Sequence, residues 1–455
     1  MTAIARERPW PWPELLFLIP IVAGNIYTAC YFVQYGYLPQ PYFYEPGGVF
    51  MDFFSVATYG QNGDAYQVFA TIYPPLSFVL LKLTTWAPCY VDSGLEEARY
   101  CDYLGLGSLV GIFFLNAALI ALAFWKIDKR TAIPRTVALA FGLPMTYTLE
   151  RGNLLLFCFT SMLLAYGPLL RSARLRWVFA GMAVNFKPYL IGTVFAQLLR
   201  RRWRWFEGAI LATVLVYLVT FAVYGEGSLG QMYENITLYA GGFKGSTILD
   251  LWYPSSMVPF RTLLEGDAAF DVAGELGSQV TDWLHAATVL VTWATVTSIF
   301  AAAAAAWWRP QAVPVYRLVF LSAAAGIVTG EVGGYTQILL LLFVFMEPWR
   351  GFGRILALLI AYVLCIPLDI QLGQILEVYR DSFLSGRWVA SQYSLSVGIL
   401  IRPLLVHVMI FTLSLVTIRD VLADMKSNGW RVPWRFLPYG PYGRHAPAAP
   451  APERV

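Results

Sequence analysis

Asp52 lies in the stretch MDFFSVATYGQNGDAYQVFATIYPPLSFVLLK, just after an apolar segment and just before aromatic residues. A carboxylate at such an apolar edge is costly, so it has a partner, a task such as proton transfer, or a capping role at a short helix from Phe53 to Tyr59. Lys187 precedes Pro188 in the middle of another apolar stretch and either faces a protein-lined cavity or snorkels to an interface. Arg151 could make a bidentate contact with an anion, or pair with Glu150 or a neighbouring carboxylate. Arg387 and Arg402 are weaker candidates of the same kind, and Arg402 could simply pair with a buried acid. Asp64 in its Gly-rich turn and Glu331 among Gly330, Gly333 and Gly334 both suit turn roles.

The elements that position these residues are apolar. Of the 455 residues 58% are hydrophobic and 13% charged, against about 25% charge in a soluble domain. Stretches long enough to cross a core of about 30 Å recur from Leu15 to Val416. An all-α integral membrane protein follows, with about twelve membrane helices, two of them short. The organisation expected is an N-terminus at 1–14, a membrane domain over 15–418 with outer loops at 36–103 and 225–283, and a disordered tail at 419–455. Placing basic loops on the cytoplasmic side puts 23 of the 32 Lys and Arg residues inside, and both termini with them. The outer face is then acidic, so each basic group there needs an explanation.

Two segments depart from simple spans. Tyr73 to Trp86 makes about 21 Å of helix, too short to cross, and is expected to lie along or dip into the membrane. Trp177 to Leu199 has Arg clusters at both ends, which a single crossing would separate, and Pro188 in its middle. A broken hairpin with Lys187 at membrane depth reconciles the two observations.

The acidic residue followed by aromatics after the first span, the Gly-x-x-Tyr element, and Tyr73-Pro74-Pro75 opening a short helix resemble the GT-C glycosyltransferases. The pattern is most similar to glycosyltransferase family 87, whose enzymes depend on polyprenyl-phosphate-mannose. The stretch AGMAVNFKPYLIGTVFAQLLRRRWR resembles the Lys-Pro segment of that family. The resemblance covers most of Ile19 to Arg204, and it departs from the pattern at Arg151-Gly152-Asn153 and in the second outer loop, which offers only Tyr253-Pro254-Ser255-Ser256. It implies a GT-C fold, Asp52 as catalytic base and Lys187 near the donor phosphate, with Arg151 and Arg387 as further phosphate ligands. Asp64, Tyr73, Trp252, Tyr253 and Glu331 would contact the sugar or the acceptor.

The implied reaction moves a hexose, expected to be mannose, with inversion from a polyprenyl phosphate carrier to a lipid or glycan acceptor. The partners would be that donor, the acceptor and membrane lipids, with no nucleic acid. The site would face the periplasm or exterior of a bacterial inner (plasma) membrane. No metal motif is present, although a divalent metal is compatible with such chemistry. Competing readings are an O-antigen-type polymerase or ligase, which would rely on outer arginines, a lipid or solute transporter, and a noncatalytic scaffold. Cys89 and Cys101 both fall in the first outer loop, where a disulfide or a free pair is open, and His285 and His407 suit packing or a local hydrogen bond.

Overall fold

The computed structural model describes residues 12–91, 94, 97–242, 252–265, 270–330 and 332–430. The protein is mostly helical. Among the described residues, five helices are long and apolar enough to cross a membrane: Trp12–Tyr35, Tyr103–Ile127, Trp203–Tyr224, Ser278–Trp308 and Gly398–Asn428. Shorter apolar helices pack among them, so part of the bundle is built from pieces rather than full crossings. Of the tail expected to be disordered over 419–455, the residues up to Asn428 instead continue the last helix, and those after Trp430 lie outside the described residues.

The first long helix, α1 (Leu18–Tyr35), ends at Gly36 and leads by an irregular stretch to α2 (Met51–Asn62). Next comes α3 (Pro75–Thr84), which opens with proline, suited to a first turn that needs no N–H. Its ten residues make about 15 Å, so the short non-spanning helix is present and somewhat shorter than its sequence suggests. Cys89 and Cys101 form a disulfide with a Cα–Cα distance of 5.6 Å. Between this loop and α4 (Tyr103–Ile127), the Asp102 carboxylate caps the new helix through Gly105 N at 2.8 Å and also accepts from Tyr90 at 2.7 Å.

α5 (Ala132–Phe141) and α6 (Leu143–Arg151) are separated by Gly142, and α7 (Leu155–Tyr166) follows the turn at Gly152. α8 (Ala173–Phe186) then stops at Lys187, whose backbone is extended, before a single turn at Pro188–Leu190 and α9 (Ile191–Leu199). In α10 (Trp203–Tyr224), Gly208 abuts Trp177 and Ala212 abuts Gly181. Four residues along one helix match four along the other in the same direction, so α8 and α10 run parallel. The chain has therefore reversed through α9 between them, which is the broken hairpin the arginine clusters require.

α11 (Ser278–Trp308) follows, and α12 (Val315–Thr329) packs against α13 (Gln337–Val344). α14 (Phe352–Leu364) comes next. The segment after it departs from the all-α class expected: β1 (Gln371–Ser382) and β2 (Arg387–Ser396) form an antiparallel hairpin, with Ser382 opposite Arg387 at the tip. Ile375, Val378, Val389 and Tyr393 supply the β-branched and aromatic content that favours strands. α15 (Gly398–Asn428) closes the fold.

The two ends of the bundle differ. At one, Arg135 grips Glu14 by two hydrogen bonds of 2.8 Å and donates to Glu347 O, while Arg317 grips the Glu347 carboxylate at 2.5 and 2.6 Å. Asp420 accepts from Arg317 at 2.7 Å and from Arg354 at 2.5 Å. Arg309 and Arg201 reach backbone carbonyls at the same end. The other end carries the irregular segments, the hairpin and Asp52.

Candidate functional site

Asp52 belongs to the first turn of α2, one residue past the helix start. Phe50 precedes it in a left-handed conformation, and neither Asp52 nor Phe50 makes a side-chain cap, so the capping alternative for Asp52 does not hold. Its carboxylate instead faces the turn after α6. Arg151 Nη2 donates to Oδ1 at 2.5 Å and Asn153 Nδ2 donates to Oδ2 at 2.9 Å. Each oxygen keeps one lone pair for another partner, and the Asp52 side chain remains 23% exposed.

Backbone geometry holds these groups together. Phe50 N donates to Glu150 O at 2.8 Å, and Gly152, with φ +68°, closes α6 against Phe50. A Cβ on Gly152 would stand 2.8 Å from Phe50 O, so both the conformation and the space there require glycine. The departure from the family pattern at Arg151-Gly152-Asn153 is thus the very segment that supplies both donors to Asp52.

Arg151 has further partners. Nη1 reaches Gly48 O at 3.4 Å and the guanidinium lies 3.9 Å over the Phe43 ring. The neighbouring carboxylates, Asp52 first and then Glu150, hold its charge against the cost of burial and raise its pKa. It is therefore the partner of Asp52 rather than an open phosphate ligand, the second of the two roles its sequence suggested. Burial pushes the Glu150 carboxyl up to about 8, with Arg151 pulling it down and Asp52 adding to the rise.

Lys187 lies in the break between α8 and α9, half-buried, its Nζ 4.7 Å over the ring of Tyr73. Among the described residues no carboxylate lies within ion-pair distance of it. Tyr59 links this pair to Asp52. It sits seven residues along α2, on the same face as Asp52, and burial raises its phenol pKa, with further rises from nearby Tyr73 and Asp52. Asp52, Tyr59, Tyr73 and Lys187 thus form one row: a carboxylate at one end, an ammonium at the other, and two phenols between.

The remaining candidates lie elsewhere. Asp64 is exposed beyond the far end of α2, where its carbonyl accepts turn bonds from Val68 and Phe69. Trp252 and Tyr253 are buried, 2% and 0% exposed, and neither presents an open ring face for a sugar. Trp252 packs between Tyr44 and Tyr393, and Tyr253 against Tyr147 with its hydroxyl on Gln337 at 3.0 Å. They form the wall behind Arg151 and Phe43. Arg387 is exposed at the hairpin tip, where nearby Phe383 meets Phe50 at 5.9 Å. Arg402 pairs with Asp369 at 2.7 Å, and His407 Nδ1 meets the Thr295 hydroxyl at 3.0 Å. Glu331 lies outside the described residues. Among those described, no group of three His, Cys, Asp or Glu side chains could hold a metal.

Asn153, Tyr59, Gly152 and Phe43 complete the site, although the sequence assigned none of them a role in it. The available signal was the RGN triplet itself, which placed a cation and an amide beside a glycine at a turn. No protein-family model, curated protein or solved structure matches the chain.

Proposed function

We propose that this protein is a membrane glycosyltransferase that takes a hexose, mannose in the first instance, from a polyprenyl phosphate at the non-cytoplasmic face. The observation that carries the reading is the partly exposed Asp52 carboxylate, aimed by Arg151 and Asn153, in a row that ends at Lys187. Asp52 accepts the proton of the acceptor hydroxyl as that oxygen attacks the anomeric carbon. The bond from this carbon to the phosphate oxygen breaks, and the phosphate leaves with the electron pair. Lys187, without a carboxylate of its own among the described residues, offsets the charge gathering there. A single displacement of this kind inverts the anomeric centre. The GT-C resemblance points the same way, and the loop-charge rule, which assigns 23 of the 32 basic residues to the cytoplasmic side, supports an outward-facing site.

The test is transfer of labelled sugar from a polyprenyl phosphate in nanodiscs. Asp52→Asn is expected to lower the rate by about 10² to 10⁴ while the protein stays folded. Because the substitution also strips Arg151 of its counter-charge, the double variant Asp52→Asn/Arg151→Gln separates the roles. Recovery of transfer in the double variant would reduce Asp52 to a structural partner and sink the assignment. Orientation is checked by cysteine labelling, with Gly63 expected outside and Arg174 and Arg202 both inside.

A further inference from the structure

At the end of the bundle opposite Asp52 there is a cavity of about 320 Å³ between the start of α12, the start of α14 and the last turns of α15. Arg200, Arg317, Arg350 and Arg354 line it, with Asp420 as its lining carboxylate and Glu347 bonded behind Arg317. Four guanidiniums against two carboxylates leave a net charge of +2.

The positive groups are not equally occupied. Arg317 is spent on Glu347 and Asp420, and Arg200 donates to Pro310 O and Val313 O. Arg354 bonds to Asp420, yet its buried Nε makes no hydrogen bond and lies 3.4 Å from Glu347. Arg350 is exposed at the rim, and among the described residues its guanidinium has no hydrogen bond or ion pair. The N-terminus of α12, fifteen residues long, opens on the same space. Its first N–H bonded within the helix is that of Leu318, so those of Tyr316 and Arg317 are left over beside the cavity.

We infer that this cavity is a second anion site, binding a phosphate group with one or two charges, separate from the Asp52 site and independent of the reading of that site. A fork of guanidiniums beside a helix N-terminus matches phosphate oxygens in charge and in geometry. The cavity lies at the low end of the range for small-ligand sites, enough for a phosphate with a small alcohol attached. Such a phosphate comes either from an anionic phospholipid headgroup or from a soluble phosphate compound.

The full chain in phosphatidylcholine nanodiscs distinguishes these sources, with inorganic phosphate added in one arm and phosphatidylglycerol doped into the bilayer in the other. Thermal stability and retained lipid by native mass spectrometry are the readouts. A stabilising shift with phosphatidylglycerol alone supports a headgroup, and a shift with inorganic phosphate supports a soluble compound. In either case Arg350→Ala is expected to weaken binding about tenfold, and Arg350→Glu more, because one charge-assisted contact is lost and then reversed. Lys129→Ala, an exposed cation elsewhere on the protein, is expected to leave binding unchanged. No shift with either probe, or equal losses in Arg350→Ala and Lys129→Ala, would overturn the inference.

Discussion

The basic end of the bundle and the Asp52 end both bury arginines against carboxylates, and they use them differently. Arg135 and Arg317, inside the basic end, are answered by Glu14, Glu347 and Asp420, while Arg354 and Arg350 toward its rim keep donors to spare. At the other end Arg151 holds Asp52 from one side only, and Lys187 has an aromatic ring in place of an acid. A network that answers its own charges fixes helices together. One that leaves a carboxylate open and an ammonium unanswered is ready for something that enters from outside. The presence of buried charge says little, and its residual valence says more.

That contrast can be broken by stability measurements first. Arg317→Met leaves Glu347 and Asp420 short of a cation and is expected to cost about 3–5 kcal/mol, seen as a large fall in thermal midpoint. A midpoint close to that of the wild type would mean the closed network is not what ties α12 to α15. Lys187→Ala is expected to do the reverse: little change in midpoint, with use of the lipid-linked donor weakened about tenfold or more in KM. Unchanged donor titration would remove Lys187 from the site.

A further test concerns Glu150. Burial lifts its carboxyl to about 8, so the folded protein keeps a proton that the unfolded chain, near its ordinary 4.5, has lost. The contribution of this group is complete below about 4.5 and is lost as pH rises through about 8. Glu150→Gln cannot titrate, so its midpoint should fall less than that of wild type between acid and alkaline buffer. Parallel pH curves for the two proteins would place Glu150 in contact with water.

Much of the architecture could be read from local chemistry. The bracketing of Trp177 to Leu199 by arginines, with Pro188 between, forces the break at Lys187, because both charge placement and the proline ring act within a few residues. The short helix after Tyr73-Pro74-Pro75 and the pairing of Arg402 with an acid were legible for similar reasons. The hairpin at β1 and β2 was not, since a bias toward membrane helices hides a modest strand signal interrupted by Gly373 and Gln374. The site was half legible. Asp52 was marked by its cost at an apolar edge, whereas Asn153 lies 101 residues away and its amide says nothing alone. The burial of Trp252 likewise depends on Tyr44 and Tyr393, which only folding brings beside it.

The backbone bond between Phe50 and Glu150, with the close approach of Gly152, also bears on how the protein meets its solvent. Long apolar helices tilt when the bilayer thickens or thins, each adjusting its own angle to match the hydrocarbon. α2 and the turn after α6 are clasped to each other by main chain rather than by long side chains. A change in lipid composition that leans α1 or α4 therefore carries Asp52, Arg151 and Asn153 together as one body, and the geometry of the carboxylate is insulated from the thickness of the membrane around it.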